Sequence, residues 1–404
     1  MPNITVSTTV HKFMQSSRKR DMQDLLTVPL PFAAFTHTLT LEQWRKAAKF
    51  TSTKATAISA LVKTTTGYAR ILNHDGTLEA VDGSGTPASS MTVVSKAPPA
   101  DKSPRFYAIY PCDASGNLSG DLTYLDLYLE QLTSFDGTGL SALTTLYLAN
   151  NQLTSFDGTG LSSLTELALG NNQLTSFDGT GLSALTNLSM SNNQLTSFDG
   201  TGLSSLTELN LSNSPLTSFD GTGLSLLETL YLNNSQITSF DGTGLSLLET
   251  LHLIGNPLTS FDGTGLSSLT YLSLRDNQLT SFDGTGLSSL TELNLSNSPL
   301  TSFDGTGLSS LTNLNVTNNQ LTSFLVGDLQ LENRYNYYTA LTLSNQQLDA
   351  AALQVIYNDL PDGNSYGSYN NTLDVTGNPG AGAGSGTDPS VATSKGWTVL
   401  GDVV

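Results

Sequence analysis

The stretch that decides the fold is LTTLYLANNQLTSFDGTGLSS, which occupies residues 143–163. Its first six residues alternate between apolar and other side chains, and this pattern predicts a short β-strand. Leu146 and Leu148 are then expected to face inward, whereas Thr145 and Tyr147 are expected to face outward.

The remainder of this stretch predicts a return path without a helix. Leu153, Phe156 and Leu161 are expected to face inward again as the chain completes the coil. The Asp-Gly-Thr-Gly sequence at residues 157–160 is a turn signal, because glycine and aspartate favour turns over helices. One coil therefore consists of a strand and an irregular return.

The coil recurs at a fixed interval. A phenylalanine ends the LTSF sequence every 21 residues, at Phe135, Phe156, Phe177, Phe198, Phe219, Phe240, Phe261, Phe282, Phe303 and Phe324. Nine of these ten copies continue as FDGTGL. A constant period of this size predicts a solenoid of stacked coils.

The pattern LxxLxLxxNxL, over about residues 122–346, resembles the leucine-rich repeat family, and the 21-residue version is similar to bacterial and viral members. The resemblance implies an α/β solenoid with a parallel β-sheet on the concave face and a mostly non-helical convex side. It also implies that the motif asparagine bonds backbone groups between coils. That position holds Asn151, Asn172, Asn193, Asn256, Asn277 and Asn319, but Glu130 in the first coil and Ser214, Ser235 and Ser298 in three others. A serine hydroxyl satisfies fewer backbone groups, so we expect a looser ladder there.

Charge divides the chain. Residues 1–115 hold 13 Lys and Arg against 8 Asp and Glu, whereas residues 116–404 hold 3 against 26. We predict a small α+β domain at 1–115 that anchors the chain and caps the first coil, a solenoid at 116–346 and capping repeats at 347–404. Local patterns predict helices at 11–26, 40–50 and 348–360, a hairpin at 69–81, and strands at 91–98 and 105–111.

Composition excludes several classes of protein. The single cysteine, Cys112, excludes a disulfide framework, and no Cys/His cluster has metal-ligand spacing. No apolar run is long enough to span a membrane, and the amino-terminal residues lack the apolar segment of a signal peptide. The net charge of −18 argues against binding nucleic acid through phosphate contacts.

The outward strand positions vary between coils, whereas the return stretch hardly changes. This contrast indicates a recognition surface on a constant scaffold, although drift at solvent-exposed positions would give the same pattern. Aromatic and arginine side chains are frequent binding anchors, so we predict a protein or glycan site on the concave face. The candidate residues are Tyr124, Tyr147, Tyr231, His252, Tyr271, Arg275 and Asp276.

Each complete FDGTGL copy contributes one aspartate to a ladder, formed by Asp136, Asp157, Asp178, Asp199, Asp220, Asp241, Asp262, Asp283 and Asp304. Each carboxylate either accepts backbone N–H groups within its own turn or helps to bind Ca²⁺. No other cofactor or metal is predicted.

The sequence predicts a non-enzymatic recognition or structural protein. The basic residues 1–115 would attach it to other virion or scaffold subunits, and the acidic solenoid would project outward. A phage or viral virion component, such as a capsid decoration, tail fibre or host-recognition protein, fits this division, and a homo-oligomer would be expected there. The alternatives are a bacterial repeat scaffold in the cytoplasm, an adhesin on the cell surface, and an enzyme with its chemistry in residues 1–115.

Overall fold

The computed structural model describes residues 3–4, 39–40, 47–52, 54, 57–64, 66, 68–73, 82–83, 91–95, 105–112, 114, 119–329, 341–360, 371–382 and 386–401. The chain forms two compact units. The first unit contains residues 1–195 and 201–206, and the second contains residues 196–200 and 207–404.

The amino-terminal part of the first unit consists of strands wherever the structure describes regular elements. These are β1 (Asn3–Ile4), β2 (Leu39–Thr40), β3 (Ala48–Ser52), β4 (Ser59–Thr64), β5 (Tyr68–Leu72), β6 (Asp82–Gly83), β7 (Met91–Val94) and β8 (Arg105–Pro111). The strands predicted around residues 91–98 and 105–111 are confirmed by β7 and β8. The antiparallel pairing of β5 with β6 agrees with the predicted hairpin, whose turn lies outside the described residues.

The predicted helix at residues 40–50 is wrong where the structure describes it. Its first residue belongs to β2, which pairs with β1, and its last three residues belong to β3. All five residues of β3 are buried, and β3 pairs with β8 on one side and with β10 (Leu132–Asp136) on the other. Pairing on both edges of the strand overrides the local helix propensity. The helix predicted at 11–26 lies outside the described residues.

The coils of the first unit begin with β9 (Leu122–Asp126), which precedes β10 in the chain. The parallel strands β11 (Thr145–Tyr147), β12 (Glu166–Ala168) and β13 (Asn187–Ser189) follow. Strand β4 pairs antiparallel with β9, and β7 pairs with β4. The amino-terminal strands therefore cover the edge of the parallel sheet that β9 would otherwise expose, as a capped solenoid requires.

The second unit continues the same coil. Its strands are β14 (Glu208–Asn210), β15 (Thr229–Tyr231), β16 (Thr250–His252), β17 (Tyr271–Ser273), β18 (Glu292–Asn294), β19 (Ser302–Asp304), β20 (Asn313–Asn315), β21 (Ser323–Leu325), β22 (Leu341–Thr342), β23 (Asn371–Asp374) and β24 (Trp397–Leu400). The face-forming sheet is parallel in the order β14-β15-β16-β17-β18-β20-β22-β23-β24. Strands β19 and β21 pair with each other on the return side.

Helix is confined to the carboxyl-terminal coils in the described part of the chain. Helix α1 (Ala350–Asp359) confirms the helix predicted at 348–360, and α2 (Ser390–Ser394) is a short turn of helix. Asp349 caps α1, because its Oδ1 accepts a hydrogen bond from the Ala352 backbone N–H. No helix among the described residues combines the length and the apolar character needed to cross a membrane.

The interior consists of repeated leucines and a column of phenylalanines. Leu146, Leu148, Leu153 and Leu161 are inaccessible to solvent, and Phe156 is nearly so, as predicted. Successive phenylalanine rings lie nearly parallel; for example, the Phe240 and Phe261 centroids are 6.1 Å apart. Each coil therefore buries its apolar side chains against the next, which is the main source of solenoid stability.

An asparagine ladder joins the coils, as the family resemblance implies. Asn151 shows its geometry: Oδ1 accepts from the Leu132 N–H at 2.9 Å, and Nδ2 donates to the carbonyls of Leu127 and Leu148. The longer Gln346 takes the same role after residues 325–338, whose sequence LVGDLQLENRYNYY departs from the repeat. The predicted weakening at serine is confirmed, because the buried hydroxyls of Ser214, Ser235 and Ser298 have no hydrogen-bond partner.

Candidate binding face

The parallel register aligns the outward side chains in rows across the strands. In the second unit, one row runs Tyr231, His252, Ser273, Asn294 and Asn315, strand by strand. The neighbouring row runs Thr229, Thr250, Tyr271, Glu292 and Asn313. Because the coils from β15 to β20 have the same length, a side chain at one position lies beside its counterpart in the next coil.

Three of the predicted site residues form a continuous stack of rings. The His252 imidazole lies 4.8 Å from the Tyr231 ring, with an angle of 23° between the planes. On its other side it lies 4.8 Å from the Tyr271 ring, at 32°. We call Tyr231, His252 and Tyr271 the tyrosine–histidine stack. Its members are half-buried, so the ring edges remain open to a ligand.

Packing within the stack favours the neutral forms of His252 and Tyr271. Burial lowers the pKa of His252 below its ordinary 6.5, because the charged imidazolium loses hydration between two rings. Burial also raises the pKa of Tyr271, and the Glu292 carboxylate adds to this rise. His252 and Tyr271 are therefore uncharged at neutral pH.

A shallow depression of about 370 Å³ adjoins the stack. It is lined by Tyr271, Glu292, Leu293, Asn294, Asn313, Asn315 and Thr342. Leu293 is buried beneath polar groups that both donate and accept hydrogen bonds. Tyr271 belongs to both features, so it provides one wall of a site that offers aromatic, amide and carboxylate groups together.

Arg275 and Asp276 follow β17 and form an exposed ion pair, with Nε and Oδ2 3.0 Å apart. Asp276 has a φ of 58° and occupies the position that holds a left-handed asparagine in most other coils. Its Oδ1 accepts a 2.6 Å hydrogen bond from Asn297 Nδ2, and the side chains of Asn318 and Asn345 extend this chain of bonds. Asp276 therefore has a local structural role beside its predicted role in binding.

The remaining predicted residues, Tyr124 and Tyr147, lie in the first unit on the adjacent strands β9 and β11. Their rings meet edge to face at 5.6 Å. Tyr147 Oη donates a 2.6 Å hydrogen bond to Glu166 Oε1, and Lys63 Nζ lies 5.1 Å from the centroid of the Tyr124 ring. Burial and the nearby Glu166 raise the pKa of Tyr147. The structure thus gives these two tyrosines their own polar partners, separate from the tyrosine–histidine stack.

The aspartate ladder uses its carboxylates within the turns. Thr159 N–H donates to Asp157 Oδ1 at 2.9 Å, and the same bond recurs in other coils, as with Thr243 and Asp241. This geometry is the turn-capping alternative that the sequence offered. Among the described residues, no three His, Cys, Asp or Glu side chains are grouped closely enough to hold a metal ion.

Several residues of the depression are not among the predicted site residues. The outward strand positions, which the sequence predicts to form a recognition surface, include Glu292, Asn294, Asn313 and Asn315. Their proximity to Tyr271 follows from the constant register. The coil position of Thr342 is not predicted by the repeat, because residues 325–338 depart from the repeated sequence. Pairing of β20 with β22 places it beside Asn315.

Comparisons with known proteins agree with this geometry. The family model described as "Leucine Rich repeats (2 copies)" matches residues 141–184, 183–225 and 267–305. A search of curated proteins finds no match.

Solved structures resemble the chain in fold. The functional domain of InlJ from Listeria monocytogenes is 26% identical, with a TM-score of 0.42, covering 65% of this chain and 66% of that one. A leucine-rich repeat protein of Leptospira interrogans is 22% identical, with a TM-score of 0.47, covering 68% and 82%. TLR13, solved with ssRNA13, is 23% identical, with a TM-score of 0.52, covering 69% and 43%.

The repeated motif, the stacked parallel strands and the asparagine ladder all agree with the family match. The family match therefore identifies leucine-rich repeats at residues 141–225 and 267–305, and the fold is the solenoid typical of such repeats, which indicate a protein-binding scaffold.

Proposed function

We propose that this chain is a non-enzymatic recognition protein whose outward strand face binds a protein or a glycan. The observation that carries the proposal is the juxtaposition of the tyrosine–histidine stack with the adjoining depression. Aromatic edges give apolar contact at low entropic cost, and the surrounding amides and carboxylate fix orientation by hydrogen bonds.

We further propose that the chain is a component of a virion. Residues 1–115 would attach the chain to other subunits, and the acidic coils would carry the ligand site outward, as in a capsid decoration, tail fibre or host-recognition protein. The excess of basic residues in 1–115 and of acidic residues in 116–404 supports this division of roles. A bacterial scaffold or surface adhesin is the second candidate, with the same binding face.

The binding face is tested on glycan and protein arrays with the full-length chain. The variant Y231N/H252S/Y271T replaces the stack with residue types that other coils carry in the same rows, so we expect it to fold. A ligand bound by the wild type should be lost from this variant and kept by the control Y147N in the first unit. Retention of every wild-type ligand by the stack variant would contradict the proposal.

The attachment role is tested by charge reversal rather than by deletion. Removing residues 1–115 would also remove β3 and β4, which pair with β10 and β9, so the first coils would lose their cap. The variant R18E/K19E/R20E instead reverses the charge of the basic run and leaves the sequences of β3 and β4 unchanged. We expect wild-type protein to co-purify with virions and this variant to be depleted. Absence of the wild-type chain from purified virions would favour the scaffold or adhesin alternative.

A further inference from the structure

Two consecutive coils depart from the repeat at the same two positions. Residues 224–230 and 245–251 both read LSLLETL. At the third position the other coils carry small residues, namely Ala142, Ser163, Ala184, Ser205, Ser268, Ser289 and Ser310. At the fifth position the other coils carry threonine, whereas these two carry Glu228 and Glu249.

The threonines at the fifth position support the solenoid. Thr270 Oγ1 donates to the Glu249 carbonyl at 3.0 Å, and Thr291 Oγ1 donates to the Thr270 carbonyl at 2.9 Å. The same bond from one coil to the preceding one is made by Thr144, Thr165, Thr186 and Thr312. A carboxylate has no proton to donate at neutral pH, so Glu228 and Glu249 give up this bond.

The leucines at the third position add no core packing that would compensate for the lost threonine hydrogen bond. Leu226 and Leu247 are each 44% exposed, whereas the leucines that follow them in sequence, Leu227 and Leu248, are fully buried. The backbone bonds of both coils are intact, since Glu228 N–H still donates to the Thr207 carbonyl and Glu249 N–H to the Glu228 carbonyl. These two coils therefore differ at the surface and lack one side-chain hydrogen bond each, whereas their backbone pairing is kept.

Exposed apolar side chains that recur together mark an interaction surface more often than a stability device. The flanking carboxylates indicate what kind of partner fits. Among the described residues, neither Glu228 nor Glu249 forms an ion pair. Self-association through the leucines would bring like charges from two copies together, which is unfavourable.

We infer that Leu226, Leu247, Glu228 and Glu249, which lead into β15 and β16, form a docking surface for a cationic protein segment that carries apolar side chains. Leucine contacts would supply apolar burial, and the two carboxylates would pair with lysine or arginine. We call these four residues the leucine–glutamate patch.

The test measures binding of a fluorescent amphipathic peptide composed of leucine and lysine to the full-length chain. We expect saturable binding with one peptide per chain, weakened by salt, and no binding of a matched peptide composed of leucine and glutamate. The variant L226S/L247S/E228T/E249T restores the residues of the other coils and should weaken binding by at least about tenfold. The stack variant Y231N/H252S/Y271T should bind the peptide as the wild type does.

Copying the leucine–glutamate patch onto other coils provides a gain-of-function test. The variant S268L/S289L/T270E/T291E copies the patch onto the next two coils and should bind a second peptide. Thermal melting shows whether weaker peptide binding is caused by loss of folding. The restored variant should have a melting temperature no lower than that of the wild type. The inference would be overturned if the wild-type and restored chains bound the peptide equally, or if neither bound it. Dimerisation through the leucines, measured by sedimentation, would also overturn it.

Discussion

Glu130 Oε2 lies 2.7 Å from Lys54 Nζ, and this ion pair replaces the asparagine ladder where the solenoid begins. Glu130 occupies the motif asparagine position of the first coil, where the neighbouring residues come from the amino-terminal strands. The Ser52 hydroxyl donates to the Glu130 carbonyl, and Lys54 reaches the carboxylate. The departure from asparagine at this position therefore joins the cap to the first coil.

The two halves of this pair should differ in their effect on stability. Burial of Glu130 raises its pKa despite the nearby Lys54 ammonium, whereas the Lys54 side chain is partly open to water. Lys54→Met leaves a buried carboxylate without its cation and should cost about 3–5 kcal/mol. Glu130→Gln keeps hydrogen bonding and leaves a cation that water can reach, so it should cost about 1–3 kcal/mol. Denaturant unfolding of both variants and of the double variant measures the difference, and a larger loss for Glu130→Gln would contradict it.

Repair of the ladder should stabilise the second unit. Ser298 precedes Pro299, and Asn256 in the same sequence context before Pro257 makes its ladder bonds to the Leu232 and Leu253 carbonyls. Ser298→Asn should therefore raise the unfolding free energy by about 1 kcal/mol.

The reciprocal change is the matched control for ladder repair. Asn319→Ser should lower the unfolding free energy by about 1–3 kcal/mol, because it leaves buried backbone groups unsatisfied. Thermal and urea unfolding measure both variants. A lower melting temperature for Ser298→Asn would show that the serine coil has repacked around the smaller side chain.

The aspartate turns should make stability depend on acid pH. Hydrogen bonds from Thr222 and Thr243 lower the pKa values of Asp220 and Asp241 below 3.8, and Asp262, Asp283 and Asp304 behave alike. A lowered folded pKa contributes stability above about pH 3.8 that is lost as the pH falls through the folded value. The pKa of Glu130 is raised, so this residue changes stability with pH in the opposite direction, but it is one group against five aspartates.

We therefore expect the melting temperature to fall steadily below about pH 4. Asparagine at these five positions can keep the turn bond without titrating, so that variant should show a flatter acid profile. An identical acid profile for the wild type and the asparagine variant would assign acid unfolding to other groups.

Calcium is the alternative role for the ladder. Because each turn already uses one carboxylate oxygen on a threonine N–H, we expect the same melting midpoint with EDTA and with added CaCl₂. A midpoint that rises with CaCl₂ and falls with EDTA would instead assign the ladder as a cation site, and the five-asparagine variant should then lose the response.

The tyrosine–histidine stack should hold His252 neutral. Its pKa lies below 6.5, so the associated stability is present above pH 6.5 and is lost as the pH falls through the folded value. An NMR titration, with the His252 signal assigned from the His252→Ser spectrum, should give a midpoint below 6.5. The variant Y231N/Y271T opens the site to water and should return the midpoint toward 6.5; an unchanged midpoint would mean that the rings do not cause the shift.

The sequence by itself determined the coil, its period, the inward leucines and phenylalanines, and the two outward rows. These follow from repetition, because a pattern that is ambiguous once becomes unambiguous when every copy must stack on the next in the same register. The loss of ladder hydrogen bonds at Ser214, Ser235 and Ser298 was predictable for the same reason, because comparison with the other coils shows where asparagine is replaced.

Only the tertiary structure decided where the pattern stops. The strand at 48–52, whose first three residues were predicted to end a helix, is fixed by partners far away in the chain. Glu130 contacts Lys54 only after the amino-terminal strands have packed onto the first coil. Thr342 lies in the depression because β22 pairs with β20, although the sequence between these strands departs from the repeat. Local periodicity carries no information about such contacts, because residues distant in the chain meet only through the pairing of whole strands.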